Sequence, residues 1–178
     1  MNSEQNKKRV NPKEIAVFGM LGALMYASKM LMEILPNVHL IGVFVIATTV
    51  VYRKKALYPI YVFVLLTGLL NGFAMWWIPY IYTWGILWAV IMLLPQNMKP
   101  QKATVIYMIV CALHGFLYGT LYAPAQAILF GLDFRGMIDW IIVGLPYDCI
   151  HGVSNFFCGL LIMPLVSLLL RLEKEVIK

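Results

Sequence analysis

The chain has 178 residues, of which 62% are hydrophobic and only 12% charged, with a mean hydropathy of +0.81. A soluble domain carries about 25% charged residues, so a water-soluble globule is a poor fit. The net charge of +6 raises nucleic acid as a partner, but the cations are sorted into separate loops, which membrane topology explains and nucleic-acid binding does not.

All of the 14 Lys and Arg residues except Lys29 and Arg135 fall in four short polar segments. These are Lys7-Lys8-Arg9 with Lys13, Arg53-Lys54-Lys55, Lys99 with Lys102, and the tail Arg171, Lys174 and Lys178. The connections around Asn37, Trp77 and Asp133 hold only Arg135. Positively charged loops stay on the cytoplasmic side, so the alternation predicts an all-α integral membrane protein with six transmembrane helices and both termini cytoplasmic. Residues 1–13 form a polar tail, 14–171 the membrane domain and 172–178 a second tail, which leaves no room here for a further soluble domain.

The predicted helices follow in chain order. The first runs from about Glu14 to Leu35 and stops at Pro36; it is long, carries Lys29 and Glu33 and lacks a small-x-small site, so it is an uncleaved span rather than a signal peptide. The second is short, about Val38 to Tyr52, and ends at the Arg-Lys-Lys turn. The third covers about Ala56 to Ala74; the fourth begins near Pro79, a good first-turn residue, and stops at Pro95. The fifth runs from about Ala103 to Phe130, closed by Gly131. The sixth has its core from Pro146 to near Arg171, with Met137 to Leu145 as an outer interfacial segment. Pro124 and Pro164 deprive the carbonyls of Thr120 and Leu160 of their helical donors. Cys111, Cys149 and Cys158 fall in apolar segments and read as small buried hydrophobes.

Several constellations could carry function. Gly19, Ala23 and Ala27 recur every four residues on the first helix, a spacing that lets another helix approach closely, either within the bundle or from a partner subunit. Gly115, Gly119, Ala123 and Ala127 repeat the pattern on the fifth, where a central position favours packing within the bundle. Trp77, Tyr80, Trp84 and Trp88 share one face of the fourth helical region. Trp76, Trp77 and Tyr80 fit an interfacial belt, whereas Trp88 lies about 15 Å deeper and either packs in the bundle or lines a cavity for a flat ligand. Asp148, His151 and Asn155 share one face of the sixth helix, and His114, Tyr118, Tyr122 and Gln126 form a stripe on the fifth. Lys29 and Glu33 complete the set of intramembrane polar residues, which are functional candidates by default; the plain alternative is that Lys29 pairs with Glu33 or Asp148. No phosphate-binding loop, His-Glu-x-x-His, paired Cys-x-x-Cys or Gly-x-Ser-x-Gly motif is present, which favours binding over catalysis.

With the length, the six helices, the small-residue motif, the stretch Pro36-Asn37-Val38-His39-Leu40 and the block from Leu145-Pro146-Tyr147-Asp148 to His151-Gly152-Val153-Ser154-Asn155, the chain resembles the S components of energy-coupling factor (ECF) transporters. These substrate-binding membrane subunits take up vitamins and other micronutrients in bacteria. The resemblance implies a subunit of the bacterial plasma membrane that captures its substrate near the outer face. It would deliver that substrate with a transmembrane T subunit and two cytoplasmic ATPases. The family's Ala-x-x-x-Ala motif faces the T subunit and maps onto Gly19 and Ala23, with Ala27 extending it and Gly in place of the first Ala. Candidate substrate-binding residues are Lys29, Glu33, His39, Trp77, Trp84, Trp88, Tyr118, Tyr122, Gln126, Asp148, His151 and Asn155. A water-soluble B-vitamin or its precursor is the expected class, with no metal, cofactor or catalytic residue. Two rivals are a self-contained transporter or channel using Lys29, Glu33 and Asp148 in ion coupling, and, less favoured, a small membrane enzyme using His114, His151 and Asp148.

Overall fold

The structure, a computed structural model, describes residues 11–35 and 37–177. The basic residues Lys7, Lys8, Arg9 and Lys178, and Pro36 as the stop of the first helix, lie outside the described residues. Among the described residues the chain is built of α-helices and short tight turns, with no strand. The helices are α1 (Pro12–Met32), α2 (Ile41–Tyr52), α3 (Leu57–Asn71), α4 (Tyr80–Leu93), α5 (Pro100–Phe116), α6 (Tyr118–Phe130), α7 (Phe134–Cys158) and α8 (Ile162–Leu172). Four stretches are long and apolar enough to cross a membrane: Pro12–Met32, Met75–Leu93, Pro100–Phe130 and Phe134–Val176. α2 and α3 fall short of that length; α2 rises only about 18 Å.

Local chemistry sets the ends. Asn11 caps α1 by accepting the Glu14 N–H at 2.8 Å, while the Glu14 carboxylate accepts the Asn11 N–H at 3.0 Å. The same carboxylate takes Lys55 Nζ at 2.6 and 2.9 Å and so ties the start of α1 to the Arg53–Ala56 turn. α3 stops at Asn71, three residues before the expected Ala74, because Gly72 turns away at φ 93°. Pro79 precedes α4 and Leu94 ends it, as expected.

Three departures concern the late helices. The predicted fifth helix is two: it breaks at Leu117 between α5 and α6. The predicted interfacial segment Met137 to Leu145 is not separate, since α7 continues through Pro146 from Phe134 to Cys158. A tight turn at Gly159–Leu161 then separates α7 from α8, next to the Leu160 carbonyl that Pro164 leaves without a donor. Cys149 is exposed and Cys158 half-buried, so only Cys111 is a buried cysteine. Cys149 stands on an outer face of α7 with Tyr147, Ile150 and Val153, all exposed.

α2 forms the centre and is buried on nearly all sides, as its unbroken apolar sequence requires. It packs against α4, α5 and α8, while α1 lies along α3, and α5 and α6 lie along α7. Its two threonines satisfy their hydroxyls internally, Thr48 donating to Phe44 O at 2.7 Å and Thr49 to Val45 O at 2.6 Å. The outside is apolar: Leu31, Ile34, Leu93 and Ile128 are all largely exposed. Such a surface suits lipid as solvent, where close contact between small residues, rather than burial, holds helices together. The α5–α7 contact is of that kind: a Cβ on Gly115 would stand 2.8 Å from Gly152 Cα, and one on Gly159 2.9 Å from Met108 Cα.

Candidate functional site

One end of the bundle gathers the start of α1, the Arg53–Ala56 turn, the end of α4 and the final turn at Glu173–Ile177, which touches α1. At the other end the end of α1, the 37–40 loop, the start of α4, the α5–α6 break and the middle of α7 enclose a cavity of about 330 Å³. Of the candidates from the sequence, Lys29, Glu33, His39, Tyr118, Asp148 and His151 line it. They come from four separate stretches of chain, which folding has brought to one place.

Each side chain is held from below. Asn37 adopts a left-handed φ of 59°, which asparagine tolerates, and its carbonyl accepts the Ser154 hydroxyl of α7 at 3.0 Å. This anchors the loop so that the His39 ring lies 4.5 Å from that of His151, edge to face. The Tyr118 ring stands 5.0 Å from His151 and 5.8 Å from Trp84. Trp84 is 1% exposed and forms the floor beneath the lining, with His39, Tyr80, His114 and Tyr118 around it. His114 stands behind Trp84 with Nε2 at 3.2 Å from Thr83 O; since a carbonyl only accepts, that nitrogen carries the proton.

Asp148 occupies a particular place. Both of its carboxylate oxygens accept the Gly119 N–H, at 3.1 and 3.0 Å. In a continuous helix that N–H would bond to the carbonyl of Gly115, so the carboxylate inserts into the α5–α6 ladder at the observed break. Lys29 pairs with Glu33 at 3.8 Å, and among the described residues no Lys, Arg or His nitrogen lies within 4.0 Å of Asp148. Three buried ring nitrogens around the cavity, His39 Nδ1, Trp84 Nε1 and His151 Nε2, have no hydrogen-bond partner among the described residues. Buried polar atoms are normally partnered, so these carry unmet hydrogen-bonding capacity, and His39 and His151 carry theirs in the cavity lining.

The remaining candidates stand elsewhere. Trp77 donates from Nε1 to Val64 O at 2.7 Å and packs on Phe73, joining α3 to the turn before α4. Trp88 donates to Arg53 O at 3.1 Å, at the basic end, where Arg53 takes a φ of 53° and bonds Met92 O at 3.0 Å. Tyr122 bonds the Trp76 carbonyl and stacks on Trp140. Asn155 is buried and donates to Cys111 O at 3.2 Å, one turn below His151. Gln126 is half-buried and outside the lining. Tyr80, which its sequence position fits to an interfacial belt, lines the cavity instead; its place one turn from Trp84 on the same face is the signal for this.

On α1 the faces separate. Gly22 meets α3, where a Cβ would stand 3.0 Å from Pro59 O and closer still to Val62. Gly19 has nothing within 4 Å of a built Cβ, and Ala23 and Ala27 are exposed between Ile15 and Leu31, also exposed. The stripe is therefore not used for packing among the described residues.

Among the described residues no group of three His, Cys, Asp or Glu side chains could hold a metal ion. Comparisons with protein-family models, with curated proteins and with solved structures returned no match.

Proposed function

We propose that the chain is the substrate-binding subunit of an ECF-type importer in a bacterial plasma membrane. In this reading six helices cross the membrane, α2 and α3 included, with the basic turns and both termini in the cytoplasm. The protein captures a water-soluble vitamin or related small heteroaromatic micronutrient from outside. It delivers the substrate together with a transmembrane T subunit and two ATPases, which hydrolyse the ATP.

The observation that carries this is the cavity at the end of the bundle away from the basic turns, lined by His39, Tyr118, Asp148 and His151 over Trp84. Its size and its mixture of rings with a few convergent polar groups suit a small flat ligand. The uncovered Gly19, Ala23 and Ala27 stripe supports a partner helix from another subunit. Mass spectrometry of small molecules co-purified with the protein, together with quenching of tryptophan fluorescence by the compound found, tests the capture role. Retention of ATPase subunits through purification supports the assembly. Uptake by this chain alone, driven by an ion gradient, would sink it.

A further inference from the structure

The charges on the cavity wall do not balance. Its amine- and carboxyl-bearing side chains are Lys29, Glu33 and Asp148, two carboxyls against one amine. Lys29 and Glu33 neutralise one another across 3.8 Å. Asp148 is 7% exposed, and among the described residues its only hydrogen-bond donor is the single Gly119 N–H shared between both oxygens. A carboxylate offers about four lone-pair sites, so most of its accepting capacity is open toward the cavity. A buried charge without a counter-charge is costly, the more so in a membrane.

The walls beside it have a matching character. Tyr80 and Tyr118 line the cavity, and Trp84 packs against both rings. Ring faces attract cations, most strongly where water is excluded. His39 Nδ1 and His151 Nε2 have no partner among the described residues, and an uncharged imidazole can accept as well as donate.

We infer that this cavity selects a planar organic cation, such as an amidinium or a protonated amino-heterocycle, with its N–H groups on Asp148 and its ring against Tyr80 and Tyr118. The inference rests on the cavity being the substrate site proposed above, and it adds the charge and donor pattern of the substrate. Lys29 does not oppose it, because Glu33 already offsets that charge. Asp148 would then serve two ends at once, holding Gly119 on one side and the ligand on the other.

The test uses the full chain in detergent or nanodiscs and three probes of one shape: benzamidine, a cation at neutral pH, neutral benzamide, and anionic benzoate. Binding is read by tryptophan fluorescence and by calorimetry. Benzamidine is expected to bind at least about tenfold tighter than either isostere. In Asp148→Asn, which retains an acceptor for Gly119, that preference should fall to within about threefold while thermal stability changes little. Equal or tighter binding of benzamide or benzoate to the native chain overturns the inference, as does failure of benzamidine to bind at millimolar concentration. An undiminished preference in Asp148→Asn does so as well. Should Asp148→Asn not fold, the order of the three probes on the native chain decides alone. Retention of ATPase subunits does not depend on probe charge, so a failure here leaves the importer reading to stand or fall separately.

Discussion

The carboxylate of Asp148 on α7 holds the N–H of Gly119 at the first turn of α6, and the helix that the sequence predicts as continuous breaks there. The glycine is needed for the approach, because a Cβ at 119 would fall on the carboxylate itself. Gly119→Ala should therefore cost about 1–3 kcal/mol of stability through overpacking. It should also weaken ligand binding, since Tyr118 and Asp148 both move. Thermal unfolding in detergent and the benzamidine titration check the two effects; an unchanged midpoint with native binding would count against the contact.

The two tryptophans of α4 should separate in their phenotypes. Trp84 is 1% exposed under the cavity, and Trp84→Ala should cost about 3–5 kcal/mol and abolish binding. Trp88→Phe removes the bond to Arg53 O and part of the ring's packing and should cost about 1–3 kcal/mol, with binding unchanged. Parallel melting curves and titrations distinguish them. Lost binding in Trp88→Phe would place that residue at the site after all.

Neighbouring small residues on α1 should also differ. Ala23→Leu and Gly19→Leu add bulk to an open face, so the isolated chain should fold and bind normally while uptake in cells is lost. Gly22→Leu drives a side chain into Val62 and should destabilise the chain itself. Equal loss of binding and uptake in Ala23→Leu would argue against a partner interface.

The proposed orientation has a direct check. With Cys111, Cys149 and Cys158 replaced by alanine, Arg135→Cys should react with a membrane-impermeant maleimide in intact cells. Lys54→Cys should react only after permeabilisation. Both positions are exposed, so the reverse order of labelling would invert the topology.

At the basic end, Glu14 is 8% exposed and carries both the α1 cap and the Lys55 pair. Glu14→Ala removes both and should lower stability by about 1–3 kcal/mol, read from the unfolding midpoint. Lys55→Met leaves the cap in place and should cost less, because Lys55 is partly exposed and the pair is screened.

Much was legible in the sequence because it depends on neighbours along the chain. Apolar content pointed to lipid as the solvent, Pro79 and Gly131 marked helix ends, and steps of three and four put Asp148, His151 and Asn155 on one face. Only tertiary structure could decide between partners on different helices, since that depends on how each helix is rotated and how deep it sits. Thus Lys29 meets Glu33 and not Asp148, and Asp148 turns instead to a backbone N–H and breaks a helix. Trp77 and Trp88 find carbonyls of other segments, while Trp84 between them, on the same face, lies under the cavity. Periodicity places a side chain on a face; which atom waits opposite is settled by the packing of the whole bundle.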